Sequence, residues 1–406
     1  MKILKQYQGL RKEIYVLTFG KVVTCLGAMV WPMMTLILSS KLKMDASHIA
    51  SLLLIMNIIQ IPCMMFAGYI ADHFNKKMII IFCDLVTVAG YLLIALLDIN
   101  MSTIIIFFIA GLFAMMEHPA YDALIADLSH SNDRERAYSL TYLGANLGMV
   151  LAPMIGGLLF AEHLQLSFFI DALSTLASTI MIILMVKDVS VVKSQSDEKY
   201  EEAQSGGLWK VLKTRKVLVF YLCCFIVIEF IYSQYQFLLP LNLEQLYGQQ
   251  GALYFGAMTS LNAIVVVIGT PLLTAWFHRM SDLNKIWIST VLFMLSLSMY
   301  IFIQGMIPLY FISMFIFTCG EIFNALGQLP FVTKRIPLSH RGRMNSLQRM
   351  LSAIFIAVMQ KGVGVLIDHH TMVFMWTLVS ILTVIGVMMI SVLKKMDQKE
   401  YPLLQK

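Results

Sequence analysis

Twelve long apolar runs constrain the fold of this chain more than any other feature of its sequence. Each is close to the roughly 20 residues that a helix needs to cross the hydrocarbon core of a bilayer. Backbone groups in lipid must find hydrogen bonds within the segment itself, so each run is predicted to be a membrane-spanning helix. A composition of 59% hydrophobic and 13% charged residues supports an all-α membrane protein. The predicted spans 1 to 12 cover approximately residues 14–38, 46–71, 77–97, 102–123, 138–161, 166–186, 217–241, 251–276, 285–303, 307–331, 344–367 and 372–393.

The basic residues predict the orientation of the spans, because cytoplasmic loops of membrane proteins are enriched in Lys and Arg. With both termini inside, 26 of the 30 Lys and Arg residues fall in inner segments. Only Lys41 and Lys43 fall outside, and Lys21 and Lys361 lie within spans. The net charge of +6 therefore reports topology and does not indicate nucleic-acid binding. We expect a multi-pass plasma membrane protein with both termini in the cytoplasm.

A polar stretch over residues 187–216 divides the spans into two groups of six. It predicts an N-terminal six-helix bundle over 1–186, a cytoplasmic linker over 187–216 and a C-terminal six-helix bundle over 217–406. A short Arg-x-Arg-x-x-Ser-Leu repeat, at 134–140 and again at 341–347, falls between the fourth and fifth span of each half. Two pseudo-symmetric parallel bundles form one recognised transporter plan, in which the substrate binds between them near the bilayer midplane.

The basic turn between spans 2 and 3 carries the motif Gly68-x-x-x-Asp72-x-x-x-Lys76-Lys77. It resembles the loop signature of the major facilitator superfamily, Gly-x-x-x-Asp-x-x-Gly-Arg-Lys. The resemblance implies a gating turn on the cytoplasmic side of a twelve-helix transporter. Gly68 would permit close helix approach, and Asp72 would accept hydrogen bonds from a helix N-terminus. Asn75 stands in place of the usual Gly, and Asn tolerates the left-handed backbone that such a turn needs.

Span 5 contains Gly144, Gly148 and then the run Ala-Pro153-x-x-Gly156-Gly157. The first two glycines form a small-x-x-x-small face, which by itself indicates only a surface for close helix packing. Pro153 frees a carbonyl and is expected to bend the helix. The whole run resembles the fifth-helix signature of the superfamily's proton-driven drug exporters, Gly-Pro-x-x-Gly-Gly, with Ala in place of the first Gly. This resemblance favours export over uptake.

The end of span 4 continues the resemblance in part. Pro119-Ala-x-x-Ala-Leu-Ile-Ala-Asp127, followed by Arg134, is similar to the connection between helices 4 and 5 of such exporters. We therefore place Arg134 in the gating group. Antiporters of the superfamily often carry an Arg in helix 4, four residues before a Gly, but here Phe107 stands four residues before Gly111. Any coupling role of that Arg must be absent or met elsewhere.

Ionisable residues inside the spans are the candidates for coupling. A charge at the centre of a membrane helix costs roughly 2.5–3.5 kcal/mol on insertion scales, so such residues are kept for function by default. Glu229, in the middle of span 7, is expected to carry a proton, either as a coupling group or as a neutral carboxyl bonded to a neighbouring helix. Lys21 in span 1 and Glu117 in span 4 are expected to form an ion pair, structural or coupling. Glu321 in span 10, the pseudo-symmetric counterpart of Glu117, is the second proton-site candidate.

Other charged residues of the spans receive structural interpretations. Asp122, near the inner end of span 4, is expected to meet one of the two lysines of the gating turn. Lys361 in span 11 is expected to extend toward the outer surface or to meet Asp368. Asp84 and Asp171 lie near span ends or on helices that we expect to be peripheral, and they receive no site role.

The candidate substrate-cavity residues lie on or near spans that face the central cavity in the superfamily. They are Trp31, Phe113, Tyr232, Tyr235, Gln236 and Phe323. Aromatic faces of this kind serve equally for helix packing and for an apolar pocket of broad specificity, and the sequence does not separate these two uses.

The resemblance implies a proton-coupled transporter that exports small amphipathic or drug-like compounds by alternating access. The alternative is a dedicated exporter or importer of one metabolite, peptide or lipid with the same fold. A non-transporting receptor or scaffold is disfavoured by the buried charges. The sequence has no nucleotide-binding loop, metal cluster or catalytic nucleophile, so we expect neither an enzyme nor a cofactor. The expected partners are a small-molecule substrate, protons and the lipid bilayer, and the expected oligomeric state is a monomer.

Overall fold

The structure, a computed structural model, is built from long helices. It describes residues 7–129, 134–186, 212, 215–277, 279–335 and 341–401, and these residues contain no β-strand. The long helices are α1 Lys12–Gly27, α2 Ala46–His73, α3 Lys76–Ala95, α4 Met101–Leu128, α5 Arg134–Met149, α6 Leu164–Met185, α7 Lys216–Tyr247, α8 Gln250–Phe277, α9 Asp282–Met299, α10 Ile307–Thr333, α11 Arg341–His369 and α12 Met372–Glu400.

The helices match the predicted spans in number and order. Eleven helical segments of the described chain are long and apolar enough to cross a membrane. The first of them extends α1 through short helical turns to Lys41. The remaining helix, α9, has 18 residues and lies at the position of predicted span 9. The prediction of an all-α fold with about twelve membrane helices is confirmed.

Large apolar side chains are exposed along the outer faces of the helices. On α2 and α3, for example, Phe66 is 58% exposed and Phe82 is 60% exposed. Soluble monomers rarely expose contiguous apolar surface of this kind, whereas a bilayer covers it. The exposed apolar faces therefore agree with a multi-pass membrane protein.

Span 5 is broken where the sequence places a proline. α5 ends at Met149, and a short helix, Ala152–Leu159, follows with Pro153 as its second residue. Proline has no N–H for the carbonyl four residues earlier, which here belongs to Met149, and its ring clashes with that carbonyl. The helix therefore stops one turn before Pro153 instead of bending at it.

Glycines bring α5 into close contact with α1. A Cβ on Gly144 would lie 2.8 Å from Thr18 Cγ2, and a Cβ on Gly148 would lie 2.5 Å from Cys25 Cβ. Neither position has room for a side chain, so the small face of span 5 serves close packing. Gly68 differs, since a Cβ there would meet no described atom within 4 Å. The close approach expected at Gly68 is absent because this part of α2 faces open space.

The turn between α2 and α3 is stabilised by a helix cap. Asn75 has φ −64° and ψ 115°, and its side chain accepts a hydrogen bond from the Met78 N–H at 3.2 Å. The expectation of a left-handed Asn75 was wrong. Asn is favoured here because it satisfies an amide of the first turn of α3, which has no partner within the helix.

The chain forms two compact units. Unit 1 contains Met1–Met44, Ile58–Ser194 and Leu243–Val267. Unit 2 contains Asp45–Asn57, Gln195–Asn242 and Ile268–Lys406. Each unit thus includes segments of both sequence halves. The predicted division into two bundles at the 187–216 linker stays a prediction, and residues 187–211 and 213–214 of that linker lie outside the described residues.

Within unit 2, the first turns of α2 are held by α11. The Asp368 carboxylate accepts hydrogen bonds from the Ala46 N–H at 2.9 Å and from the Ser47 N–H at 3.1 Å. Lys361 Nζ donates to the Ser47 carbonyl at 3.1 Å and also to the Ser51 hydroxyl. In the described chain Lys361 therefore binds α2, and it neither extends outward nor pairs with Asp368, because α2 lies within its reach.

Candidate functional site

The charged residues of the first half gather around α1 and α4 in unit 1. Glu117 is 8% exposed and Lys21 is half-buried. Glu117 is the carboxyl that acts most strongly on Lys21, yet no ion pair within 4 Å joins the two side chains in the described chain. Lys21 Nζ instead lies 5.1 Å from the centroid of the Tyr121 ring, a cation–π distance. The Tyr121 hydroxyl donates to the Leu17 carbonyl and so ties α4 to α1.

The first lysine of the gating turn pairs with the end of α4. Lys76 Nζ lies 2.9 Å from Asp127 Oδ2, and both side chains are largely buried. We expected Asp122 as the partner of a turn lysine. Asp122 is exposed, and its backbone carbonyl accepts a hydrogen bond from the Tyr138 hydroxyl at 2.8 Å. Asp127 lies more than one helical turn nearer the end of α4, which brings it level with the start of α3.

The second lysine of the gating turn caps the end of α6. Lys77 Nζ donates to the Ile183 carbonyl at 3.1 Å and to the Val186 carbonyl at 2.7 Å. A cation at a helix C-terminus satisfies free carbonyls and opposes the negative end of the helix dipole. The side chains of Asp72 and Arg134 lie outside the described residues, so their predicted gating contacts stay predictions.

Two carboxyl groups of the second half lie close together in unit 2. Glu321 on α10 accepts a hydrogen bond from the Tyr232 hydroxyl of α7 at 3.0 Å. Glu229 on α7 is half-buried beside the Gln328 side chain. Glu321 and Arg349 are the charged groups within electrostatic range of Glu229. The two carboxyls that the sequence selected in spans 7 and 10 thus lie within electrostatic range of each other.

Two amide side chains extend this cluster along α10. Asn324 Oδ1 and Gln328 Nε2 are buried and have no hydrogen-bond partner among the described atoms. They follow Glu321 at helical spacings of three and seven residues, so all three share one face of α10. Buried polar atoms without partners are uncommon in folded proteins. The face therefore offers one free acceptor, Asn324 Oδ1, next to the carboxyl pair, and the Gln328 side chain lies beside Glu229.

Aromatic rings gather beside the hydrogen bond between Tyr232 and Glu321. The Tyr232 ring stacks on Phe317 with centroids 5.4 Å apart, and Tyr235 lies 5.4 Å from the same ring. Phe293 of α9 lies 4.8 Å from Phe317. Two of the predicted cavity residues, Tyr232 and Tyr235, therefore belong to one aromatic cluster that adjoins the half-buried carboxyl of Glu321.

The remaining predicted cavity residues lie in other surroundings. Gln236 is exposed, and Phe323 packs edge-on against Phe277 with centroids 5.1 Å apart. In unit 1, Phe113 packs against Phe82 of α3 at 6.0 Å. The sequence placed these six residues on or near spans expected to face the cavity, and among the contacts described within each unit Tyr232 and Tyr235 share a cluster; the cavity itself stays a prediction.

Trp31 packs on the residue that replaces the family's helix 4 Arg. The Trp31 ring stacks on Phe107 at 5.8 Å, and Tyr91 stacks on Phe107 at 5.5 Å. Phe107 is fully buried and Trp31 is 49% exposed. An aromatic stack thus occupies the place where an Arg often lies in antiporters of the superfamily, and no charge is available there.

Sequence reasoning missed two buried carboxyls of the first half, Asp84 and Asp171, which are 5% and 6% exposed. Asp84 on α3 is 5% exposed, and its Oδ2 lies 2.6 Å from Thr179 Oγ1 on α6. We gave Asp84 no site role because it was expected to lie near a span end or on a peripheral helix. Its position well inside an apolar run was the available signal. The described residues contain no group of three or more His, Cys, Asp or Glu side chains that could hold a metal ion.

The fold and these buried charges are typical of a membrane transporter. A comparison of sequences shows the family to which the chain belongs. The model of the Major Facilitator Superfamily matches residues 17–359. The chain belongs to the Major Facilitator Superfamily, and the resemblance read from the gating turn and span 5 is confirmed.

Characterised relatives are distant. A Na⁺, Li⁺, K⁺/H⁺ antiporter from Planococcus maritimus is 24% identical over 323 residues, which cover 72% of this chain and 75% of the antiporter. Multidrug resistance protein MdtH from Yersinia pestis (strain Pestoides F) is 24% identical over 326 residues, which cover 79% of this chain and 76% of that protein. These names describe transporters and not enzymes.

Solved structures confirm the fold. A POT family transporter in complex with 5-aminolevulinic acid has a TM-score of 0.77 at 13% identity and covers 98% of each chain. The nucleoside transporter NupG has a TM-score of 0.75 at 14% identity, with 95% of this chain and 100% of that chain covered. At such identities the likeness concerns the fold alone.

Proposed function

We propose that the protein is a proton-coupled secondary transporter that exports small amphipathic or drug-like compounds across the plasma membrane by alternating access. The carboxyl pair Glu229 and Glu321 carries this proposal. Two carboxyls within electrostatic range of each other do not readily ionise together, and Arg349 is the cation within range of Glu229. Such a pair is suited to hold one proton and to release it when its surroundings change. Ionisable residues of this kind inside membrane helices mark proton relays.

The surroundings of the pair supply a surface for an amphipathic substrate. Tyr232 and Tyr235 present aromatic rings, and the Tyr232 hydroxyl links them to Glu321. A substrate that displaces this hydroxyl from Glu321 changes the interaction that holds the carboxylate, and so links substrate binding to proton binding. The gating turn, which contains Lys76, would close the cytoplasmic side of the transporter in its outward-facing state. The relatives named as a cation/proton antiporter and as a multidrug resistance protein support both coupling and export.

A dedicated transporter of one compound class is the second candidate. The free acceptor of Asn324 and the Gln328 amide beside Glu229 favour it, because fixed polar groups reward one hydrogen-bonding pattern and reject others. The two candidates differ in the number of unrelated compounds that drive proton movement.

The test uses purified protein in liposomes that contain a pH-sensitive dye. Gradients of lipophilic cations, neutral drugs, sugars, Na⁺ and Li⁺ are imposed one at a time on the wild type, on Glu229→Gln and on Glu162→Gln. Glu162 is an exposed carboxyl between α5 and α6 and serves as the matched control. We expect several unrelated compounds to drive proton flux in the wild type and in Glu162→Gln, and Glu229→Gln to lose that flux.

Two outcomes would overturn the proposal. Flux with a single compound class would replace multidrug export by dedicated transport. Absence of flux with every compound and at every pH, in protein shown to be folded, would remove proton coupling altogether.

A further inference from the structure

Two long helices, α2 and α8, are each divided between the compact units. Residues 46–57 of α2 lie in unit 2, and the rest of α2 lies in unit 1. Residues 250–267 of α8 lie in unit 1, and the rest of α8 lies in unit 2. Apart from them, α7 is divided only near its end, after Asn242. Because α2 and α8 are the second helices of the two sequence halves, the same division occurs twice.

Each of these two helices carries a proline next to its division. Proline has no N–H, so the carbonyl four residues earlier lacks its helical hydrogen bond. For Pro62 that carbonyl belongs to Ile58, the first residue of α2 in unit 1. For Pro271 it belongs to Val267, the last residue of α8 in unit 1. Both helices therefore lack a backbone hydrogen bond at the point where they pass from one unit to the other.

The first segment of α2, residues 46–57, is fixed to α11 within unit 2. The Asp368 carboxylate holds the first amides of this segment. Gly364 lets the two backbones touch, because a Cβ there would lie 2.6 Å from the Ala46 carbonyl oxygen and 2.9 Å from Ser47 Cα. A contact this close, closed by two hydrogen bonds, makes the segment move with α11.

The first segment of α8 is fixed to the broken span 5 within unit 1. A Cβ on Gly157 would lie 2.6 Å from the Ala252 carbonyl oxygen. The Met154 N–H donates to the Ser260 hydroxyl at 3.2 Å. Gly157 corresponds to Gly364 at the spacing of the Arg-x-Arg repeat, so the same kind of glycine contact fixes both first segments.

The prolines lie on faces that the described neighbours leave uncovered. Pro62 and Pro271 are both exposed. Beyond Pro62, a Cβ on Gly68 would meet no described atom within 4 Å. Sharp bends in helices occur at prolines. Each helix is thus held firmly before its proline and has room to change its bend angle at it.

We propose that Pro62 and Pro271 are hinges at which α2 and α8 change their bend angle during transport. This role rests on the alternating access proposed above. The first segment of each helix stays docked on α11 or on span 5 while the segment after the division changes direction. Since the hydrogen-bond ladder is already interrupted at each division, the change of angle breaks no backbone bond there.

The opposing interpretation is a fixed kink that takes no part in transport. Alanine separates the two, because Pro62→Ala and Pro271→Ala restore the hydrogen bond that each helix lacks. Pro330→Ala is the matched control, since Pro330 lies inside α10 and all of α10 belongs to unit 2. Transport is measured in liposomes with one compound that drives flux in the wild type, as the maximal rate and the apparent KM.

We expect each hinge variant to lower the maximal rate about three- to tenfold, the factor for one additional backbone hydrogen bond that each cycle must break. The apparent KM should stay unchanged. The melting temperature should not fall, because Ala is a better helix former than Pro. Pro330→Ala should keep the wild-type rate. A wild-type rate in Pro62→Ala or in Pro271→Ala would overturn the hinge in that helix.

Distances between two spin labels on one helix supply a readout that needs no transport. Ile55→Cys and Tyr69→Cys place labels at exposed positions on either side of Pro62, in a variant whose six native cysteines are replaced by serine. Leu166→Cys and Ile180→Cys have the same spacing on α6, which contains no proline and lies within unit 1. They are the matched control.

Double electron–electron resonance should give two distances across Pro62, with populations that differ between acidic and alkaline pH, and one constant distance in α6. Pro62→Ala should leave a single distance in α2. A single, constant distance across Pro62 in the wild-type helix would overturn the proposal. If the wild type moves neither protons nor substrate, the proposed function fails, and these distances still decide whether α2 bends.

Discussion

At the scale of single residues, the charged pair at the ends of α10 and α12 is the contact that is most costly to break on one side only. Arg335 Nε donates to Asp397 Oδ1 at 2.6 Å, and its Nη2 donates to Oδ2 at 2.6 Å. The two side chains are 4% and 1% exposed. The Phe331 ring lies 4.0 Å from the guanidinium. Bidentate geometry and an aromatic face suit Arg and not Lys, so this pair is specific in shape as well as in charge.

Arg335→Met should destabilise the protein by about 3–5 kcal/mol, because it leaves the Asp397 carboxylate buried without its bidentate partner. The double variant Arg335→Met/Asp397→Leu should recover a large part of that loss, since no buried charge is left behind. The measurement is thermal unfolding of the purified protein in detergent. Lys334→Met is the control, because Lys334 is 51% exposed and its pair with Asp282 should contribute less than about 1 kcal/mol. Equal melting temperatures for Arg335→Met and Lys334→Met would contradict the expectation.

At the scale of helices, close approach and capping determine which segments meet. Glycines allow α1 and α5 to touch, and the sequence motif of span 5 predicted that surface. The start of α2 differs, since its first amides find their acceptor on Asp368 of α11, more than 300 residues away in the chain. An N-terminal amide of a helix needs an acceptor from a side chain, water or a ligand. Asp368 is therefore a cap that no local pattern of α2 indicates.

Asp368→Ala should free the first turn of α2 at a cost of about 0.5–2 kcal/mol, the usual range for a lost helix cap. Hydrogen exchange followed by mass spectrometry measures it as faster exchange of peptides that contain Ala46 and Ser47. Thr371→Ala is the matched control, because Thr371 caps α12 through the Phe374 N–H at 3.4 Å. Its effect should stay at the start of α12. Unchanged exchange around Ala46 in Asp368→Ala would show that the cap contributes nothing to α2.

At the scale of the whole molecule, helix length and charge distribution match a bilayer. α3 has 20 residues, and at 1.5 Å per residue it spans about 30 Å, the thickness of the hydrocarbon core. The basic residues concentrate in every second segment between the predicted spans. Both features follow from the chain as a whole and not from any one site.

The membrane topology, that is, which loops face the cytoplasm and which face outward, is testable with single cysteines. They are introduced into a variant whose six native cysteines are replaced by serine. Asp98→Cys and His73→Cys lie at opposite ends of predicted membrane helices, and both positions are exposed. The positive-inside distribution predicts that a membrane-impermeant maleimide labels Asp98→Cys in intact cells. His73→Cys should react only after permeabilisation. The reverse pattern would invert the orientation of the entire chain.

The sequence by itself determined the number of helices, their approximate ends and the small-residue face of span 5. The physical reason is that a helix in lipid satisfies its own backbone, so its existence depends on local apolar length. The sequence also selected Glu229 and Glu321, because an ionisable residue in an apolar run is visible without a structure.

The partners of the side chains were decided only by the tertiary structure. Lys76 binds Asp127 where Asp122 was expected, Asp84 meets Thr179, and Asp368 caps α2. Each of these contacts joins residues that are distant in the chain. Each also depends on how the helices are oriented about their own axes, because that orientation decides which atoms lie within about 3 Å of each other. Hydrophobicity determines that a helix crosses the bilayer, but the direction in which its polar side chains point depends on its packing against neighbouring helices.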